Sequence, residues 1–210
     1  MGAYSDKYSE YAMKIKDVVN AAMWDESSGF YYSLGRVPDP RIIAENNLDP
    51  AIFEVDQHGK IKAMVGSAFV PLYAEIPDKQ QALQMLDKLS SPESFWTEWP
   101  IPMVDVHDPG YEPDEYWRGS TWININYFSI VGLRKYADRF SREGDFLNAD
   151  RFYQTACELG WKTAEETAYG YWEYYPSDGN KRTGLGASDF TWSGLVLNIL
   201  DELEHVCPAN

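Results

Sequence analysis

Cysteine is scarce in this chain: Cys157 and Cys207 are the only two among 210 residues. Two scattered cysteines make neither a disulfide framework nor a thiolate metal site. Histidine is nearly as rare. His58, His107 and His205 lie far apart, with none of the short spacings that bind a metal, so neither a metal nor any other cofactor is expected. No apolar run approaches the ~20 residues that a membrane-crossing helix needs. No leader pattern opens the chain, and a cytoplasmic location is the default expectation. Basic charge is also short, with 18 Lys and Arg against 33 Asp and Glu for a net −15. That balance repels nucleic acid and anionic membrane surfaces and leaves neutral or cationic partners. A Gly-x-Ser-x-Gly elbow, a phosphate-binding glycine loop, a dinucleotide fingerprint and an Asp/Asn calcium loop are all missing.

Aromatic residues, by contrast, are abundant: eight Trp and fifteen Tyr, a richness that suits stacking clefts although many of the rings are ordinary core. The hydrophobic pattern has a helical period. Tyr4, Tyr8, Tyr11, Ile15, Val18, Val19 and Ala22 give residues 4–23 one apolar face. Trp24 to Gly29 then form a turn, and Phe30, Tyr31 and Tyr32 a short extended piece. Residues 33–62 read as irregular, with room for a tight hairpin at Gln57–Lys60. Two helices broken at Pro77 occupy 65–75 and 78–90. A helix opens near Thr121 and runs to about Arg139. Another spans 144–168 with Phe152, Ala156, Leu159, Gly160 and Thr163 on its apolar side. The last helix carries Trp192, Leu195, Ile199 and Leu203, with Ser188 or Asp189 as its cap. The expectation is one all-α domain over residues 1–210, about six helices joined by short turns at one end and long aromatic loops at the other.

Three of those loops carry the chemistry. The first, Tyr111 to Tyr127, mixes Trp117, Arg118, Trp122, Asn124 and Asn126 at a helix start. Buried Arg and Asn are costly unless paired, whereas flat rings beside guanidinium and carboxamide groups suit a polyhydroxylated ligand. Spacing alone equally allows Trp117 and Trp122 to fill core. The second loop is Phe95 to Pro102, with Trp99 as its candidate contact and Glu98 and Asp105 as lesser carboxylates. The third, Tyr169 to Gly179, sets Glu173 among Tyr171, Trp172, Tyr174 and Tyr175. A carboxylate that loses water to surrounding rings becomes a usable base near neutral pH. A surface Glu in a Tyr-rich loop is the plainer alternative. Asp25 and Asp189 read as turn or cap residues.

The run Tyr116-Trp117-Arg118-Gly119-Ser120-Thr121-Trp122-Ile123-Asn124-Ile125-Asn126-Tyr127 resembles a signature of glycoside hydrolase family 63, the family of processing α-glucosidase I and of mannosylglycerate hydrolases. Tyr171-Trp172-Glu173-Tyr174-Tyr175-Pro176, followed by Gly184, Gly186 and Phe190-Thr191-Trp192-Ser193, is similar to its second signature. Trp24-Asp25-Glu26 with Gly29-Phe30-Tyr31-Tyr32 resembles a further recurring stretch. The resemblance covers nearly the whole chain. It implies an (α/α)6 toroid and inverting hydrolysis of an α-glucoside or α-mannoside. Glu173 would match the general base, and Trp117, Arg118, Trp122, Asn124, Asn126, Tyr171, Trp99 and Trp192 would line the sugar subsite.

One part of that family pattern has no counterpart. The family's general acid is an Asp in an upstream loop, and the chain holds about half of the twelve helices of a toroid. It therefore resembles the C-terminal half of the domain. Uncovered inner helix faces then imply self-association or pairing with an N-terminal half. Two other readings stand beside the hydrolase: a non-catalytic carbohydrate-binding or scaffolding half-barrel, and a trehalase-like or amylo-α-1,6-glucosidase-like member of the same fold.

Overall fold

A computed structural model describes residues 2–35, 40–45, 55–180 and 183–207. They cluster into two compact units, Met1–Met64 and Val65–Asn210.

The first unit opens with α1 (Gly2–Met23). The chain then turns back on itself as a two-stranded antiparallel ribbon, β1 (Trp24–Asp25) against β2 (Phe30–Tyr31). Asp25 builds the turn. Its Oδ1 accepts from the backbone N–H groups of Ser27 and Ser28, both at 3.1 Å, and its Oδ2 takes Lys62 Nζ at 2.8 Å. The turn role expected for Asp25 is what the structure shows. Of the stretch read as irregular, residues 36–39 and 46–54 lie outside the described residues, and the rest is more ordered than expected. α2 (Pro40–Glu45) is helical, and bridges join Leu34 to Lys60 and Val55 to Ile61. The second bridge closes the tight hairpin at Gln57–Lys60, in which Gly59 adopts φ +78°.

The second unit carries the remaining helices. A single 3-10 turn, Gly66–Phe69, runs into α3 (Val70–Tyr73). α4 (Lys79–Leu89) begins at a capping box: Asp78 Oδ1 accepts from Gln81 N–H while Gln81 Oε1 accepts from Asp78 N–H, both at 2.8 Å. α5 (Ile123–Arg142) and α6 (Phe146–Thr167) are separated by three residues and pack on each other, so they run antiparallel. α7 (Val196–Val206) packs on both. Two glycines set the closeness. A Cβ on Gly132 would stand 2.7 Å from Tyr73 N, and one on Gly160 would stand 2.4 Å from Leu203 Cδ2. The core between α5 and α6 is aromatic, with Phe152 5.4 Å from Phe140 and 5.8 Å from Tyr136, ring to ring.

Three expectations need correction. Cys157 and Cys207 are not separate thiols; they form a disulfide that ties α6 to the residue after α7. Neither Ser188 nor Asp189 caps the last helix. A 3-10 turn, Thr191–Leu195, leads into α7 with no side-chain cap, and Asp189 takes a left-handed φ of 54°. The third loop is not structureless, because β3 (Trp172–Tyr174) pairs antiparallel with β4 (Leu185–Ser188). The all-α reading holds, with the strands among the described residues confined to these two small ribbons. Among the described residues no helix is long and apolar enough to cross a membrane.

Candidate active site

The antiparallel order of α5 and α6 places the start of α5 and the end of α6 at one end of the pair. The 93–122 loops and the β3–β4 hairpin emerge there. Short bridges stitch them together. Val65 pairs with Val104, Pro102 with Thr121, and Thr121 with Tyr175. The last of these links the two signature segments: Thr121 N–H donates to Tyr175 O at 2.8 Å, and Tyr175 N–H donates to Thr121 O at 3.0 Å.

On that base stands a cluster of rings. Trp122, 1% exposed, is its centre. Trp117 lies flat on it with centroids 3.9 Å apart and planes 2° from parallel. Tyr174 stacks near it at 5.3 Å. Tyr116 meets both Trp122 and Tyr174 edge-on, and Trp192 tilts in at 5.6 Å. Trp117 and Trp192 each remain about two-fifths exposed, at 41% and 40%. Trp122 is thus covered, and Trp117 and Trp192 present the accessible ring faces. Such faces suit the apolar side of a sugar ring.

Glu173 sits at the middle of β3, half-buried beside this cluster. Its Oε1 accepts from Tyr116 O–H at 3.4 Å, and its Oε2 accepts from Ala187 N–H at 3.2 Å across the hairpin. The glycines of the second signature make room for this arrangement. Gly186, at φ +77°, faces Glu173 so closely that a Cβ there would stand 2.6 Å from Oε2; one on Gly184 would stand 2.3 Å from Trp172 Cβ. Ser193 Oγ bonds Trp172 O and joins the start of the last helical segment to the hairpin. Burial, and after it the negative charges of Glu173, Glu115 and Asp114, raises the Tyr174 phenol above its ordinary range.

The other expected residues divide. Arg118 projects from the 3-10 turn Tyr116–Arg118. Its Nε donates to Gly110 O at 3.1 Å and its Nη2 lies 3.8 Å from Glu112. More than half of this side chain is open to solvent. Asn124 is near the start of α5, and its Oδ1 is buried without a partner, an acceptor in want of a donor. Asn126 is fully buried, and its amide is consumed by the protein: Oδ1 accepts from Ile101 N–H at 3.1 Å, and Nδ2 donates to Pro100 O at 2.6 Å and to Thr163 Oγ1 at 3.0 Å. It fixes the 99–101 segment against α5 and α6 and has no face left for a ligand. Trp99 lines a separate recess of about 370 Å³ with Glu98, Glu165 and Tyr169. Tyr171 lines another with Val196, Leu197 and Leu200. Neither belongs to the rings around Trp122.

One residue escaped sequence reasoning. Glu166 on α6 is 4% exposed, and neither carboxyl oxygen has a hydrogen-bond partner. Burial pushes its carboxyl well above the ordinary carboxylate range. The signal was available in its spacing, seven residues after Leu159 and three after Thr163, both on the buried stripe. No group of three His, Cys, Asp or Glu among the described residues could hold a metal ion.

Helices that gather their loops at one end, with a carboxylate beside stacked rings there, define a partial toroid of the six-hairpin glycosidase kind. The chain matches over residues 2–193 the family described as mannosylglycerate hydrolase MGH1-like glycoside hydrolase domain. It belongs to that family, within glycoside hydrolase family 63. It is 30% identical over 200 residues to a mannosylglycerate hydrolase of Rubrobacter radiotolerans, which covers 94% of this chain and 38% of that protein. Against a mannosyl-oligosaccharide glucosidase of Saccharomyces cerevisiae it is 27% identical, covering 92% of this chain and 22% of the relative. The crystal structure of a GH63 mannosylglycerate hydrolase from Thermus thermophilus, in complex with Tris and D-glycerate, superposes with TM-score 0.62 at 23% identity, covering 86% of this chain and 35% of that one. That likeness concerns the fold. The chain spans well under half the length of these relatives.

Proposed function

We propose that the chain is the base-bearing part of an inverting α-glycosidase, with Glu173 activating water for attack on an α-glucoside or α-mannoside. The observation that carries this reading is the placement of Glu173. One oxygen is tied to Ala187 N–H, the other faces Tyr116 O–H at 3.4 Å, and the exposed faces of Trp117 and Trp192 flank the same cluster. A carboxylate fixed at one oxygen and loosely held at the other can accept a proton from a water without first giving up its position. Trp117 and Trp192 supply the stacking faces, and the solvent-open Arg118 guanidinium the hydrogen bonds to hydroxyls. Asn126 serves the site by holding the 99–101 segment.

The general acid comes from outside the chain. An inverting pair stands about 6.5–9.5 Å apart, leaving space for the water between them. The acid is supplied by an N-terminal part of the domain. Supporting this are the share of the relatives covered and the exposed Trp161 on α6 and Leu197 on α7, 52% and 65% accessible, which suit a covering partner.

The test is the Glu173→Gln variant. It should abolish hydrolysis of aryl α-glucosides and α-mannosides, assayed with the chain and whatever partner copurifies, while sugar binding by calorimetry persists. Product anomers followed by NMR should appear inverted. Binding without hydrolysis by the unmodified protein would instead favour a carbohydrate-binding half-barrel. That alternative rests on the absence of a counterpart to the upstream acid. A lone monomer in size-exclusion chromatography that still hydrolyses would refute the borrowed acid.

A further inference from the structure

Trp99 carries an indole that the cluster around Trp122 does not use. It lines a recess of about 370 Å³ with Glu98, Glu165, Ala168, Tyr169 and Gly179, within the roughly 300–1,000 Å³ of small-molecule sites. The end of α6 forms one wall through Glu165, Ala168 and Tyr169. The loop that carries Glu98 and Trp99 forms another.

That loop wall is fixed by its backbone. Trp99 N–H donates to Ser177 O at 3.0 Å. The Trp99 carbonyl accepts from Thr97 Oγ1 at 2.8 Å and from Thr121 Oγ1 at 2.7 Å. Lys162 Nζ, on α6, donates to Glu98 O at 3.0 Å, and Asn126 holds the next two residues. Gly179 closes in at φ +68°; a Cβ there would stand 2.6 Å from Glu98 Cγ and 3.3 Å from Trp99 Nε1. A wall already ordered lowers the entropic cost of binding. The side chains, in contrast to the backbone, are unspent. Among the described residues neither the Glu98 and Glu165 carboxylates nor the Trp99 indole N–H has a hydrogen-bond or ion-pair partner.

We propose that this recess is a second carbohydrate site, taking one neutral pyranose ring apart from the rings around Trp122. Trp99 and Tyr169 give it apolar faces, Glu98 and Glu165 accept from its hydroxyls, and the Trp99 indole N–H donates to one of its oxygens. Rings beside carboxylates also suit an organic cation. Two features turn the balance towards a neutral sugar. The Lys162 ammonium stands at the recess edge, bonded to Glu98 O, and repels a second cation. The indole N–H is a donor that a sugar oxygen can use and a cation cannot. None of this depends on Glu173 being the base.

The test follows the indole N–H signals of the whole chain in proton–nitrogen correlation spectra. Trp99→Phe removes one of the eight Trp signals, and Trp117→Phe and Trp192→Phe mark two others. Methyl α-glucoside or methyl α-mannoside, at rising millimolar concentrations, should shift the Trp99 signal to saturation. The midpoint of that shift should be unchanged when Trp117→Ala and Trp192→Ala are combined. Glu165→Ala and Glu98→Ala, both at exposed positions, should each weaken it about tenfold, the worth of one hydrogen bond to a charged group. A Trp99 signal that stays still, or that responds equally in both Glu variants, would overturn the proposal. So would a shift produced by tetramethylammonium chloride and not by either sugar. A response at Trp99 with none at Trp117 or Trp192 sinks the sugar reading of the Trp122 cluster and leaves the second site standing. The reverse pattern sinks the second site alone.

Discussion

Gly186 and Glu173 face each other across the β3–β4 hairpin with no space for another atom: a Cβ on Gly186 would lie 2.6 Å from Glu173 Oε2 and 2.8 Å from its Cβ. The left-handed φ of +77° adds a second demand for glycine. Gly186→Ala should therefore displace the carboxylate and strain the strand. The expected cost is about 1–3 kcal/mol in urea unfolding, with loss of hydrolysis beyond what the stability change explains.

Asn126 answers a different question. Truncation to Ala would orphan the buried Ile101 N–H and Pro100 carbonyl together. At about 1–3 kcal/mol for each unsatisfied group, Asn126→Ala should lower stability by several kcal/mol in chemical denaturation. A change in sugar affinity with unaltered stability would instead point to ligand contact.

The two stacked indoles should behave unequally. Trp117→Ala removes an exposed ring whose stacking is worth about 0.5–1.5 kcal/mol. It should weaken sugar binding while leaving the melt little changed and shifting emission of the uncovered Trp122 to the red. Trp122→Ala empties the cluster's centre and should cost about 3–5 kcal/mol, read by differential scanning calorimetry.

Acid stability should depend on Asp25. Lys62 chiefly, then Ser27 and Ser28, hold its carboxyl well below the ordinary 3.8. The stabilisation is complete above that ordinary value and is lost as pH falls below it towards the folded one. Asp25→Asn should flatten the decline of the thermal midpoint below pH ~4 and lower the midpoint at neutral pH.

The disulfide should contribute through the 50-residue separation it closes. Loop-closure entropy sets an upper bound of about 4 kcal/mol. Cys157→Ser, or reduction by dithiothreitol, should lower the unfolding midpoint. Mass spectrometry after alkylation of the unreduced protein should find neither thiol free.

How far the sequence reveals these features depends on the kind of signal each carries. α5 and α6 follow from the 3.6-residue recurrence of Leu133 or Phe152 with their neighbours, because burial on one face repeats at that interval; α1 shows the same recurrence, yet Tyr8, Tyr11, Ile15 and Val18 on it stand exposed. The β3–β4 ribbon does not announce itself. Its strands are three and four residues long, and Gly184 and Gly186 look like a bend until their close contacts with Trp172 and Glu173 are known. The pairing of Cys157 with Cys207 is set by how α7 lies on α6, which spacing along the chain does not encode. Trp122 and Asn126 stand in a motif suited to sugars, yet each faces inward. Asn126 spends its amide inside the protein while Asn124, two residues earlier, keeps an unpartnered oxygen, and their places in the motif do not tell the two apart. Glu166 was hidden for the same reason: beside the exposed Glu165 it passes for a solvent-facing pair.

The Thr121–Tyr175 bridge joins loops that the chain visits more than fifty residues apart. Each supplies the other's ladder partner, so the two cannot vary independently. Grafting one loop from a relative without its mate would leave an amide and a carbonyl facing a stranger's backbone. Any redesign of these loops must therefore transplant both as a matched set.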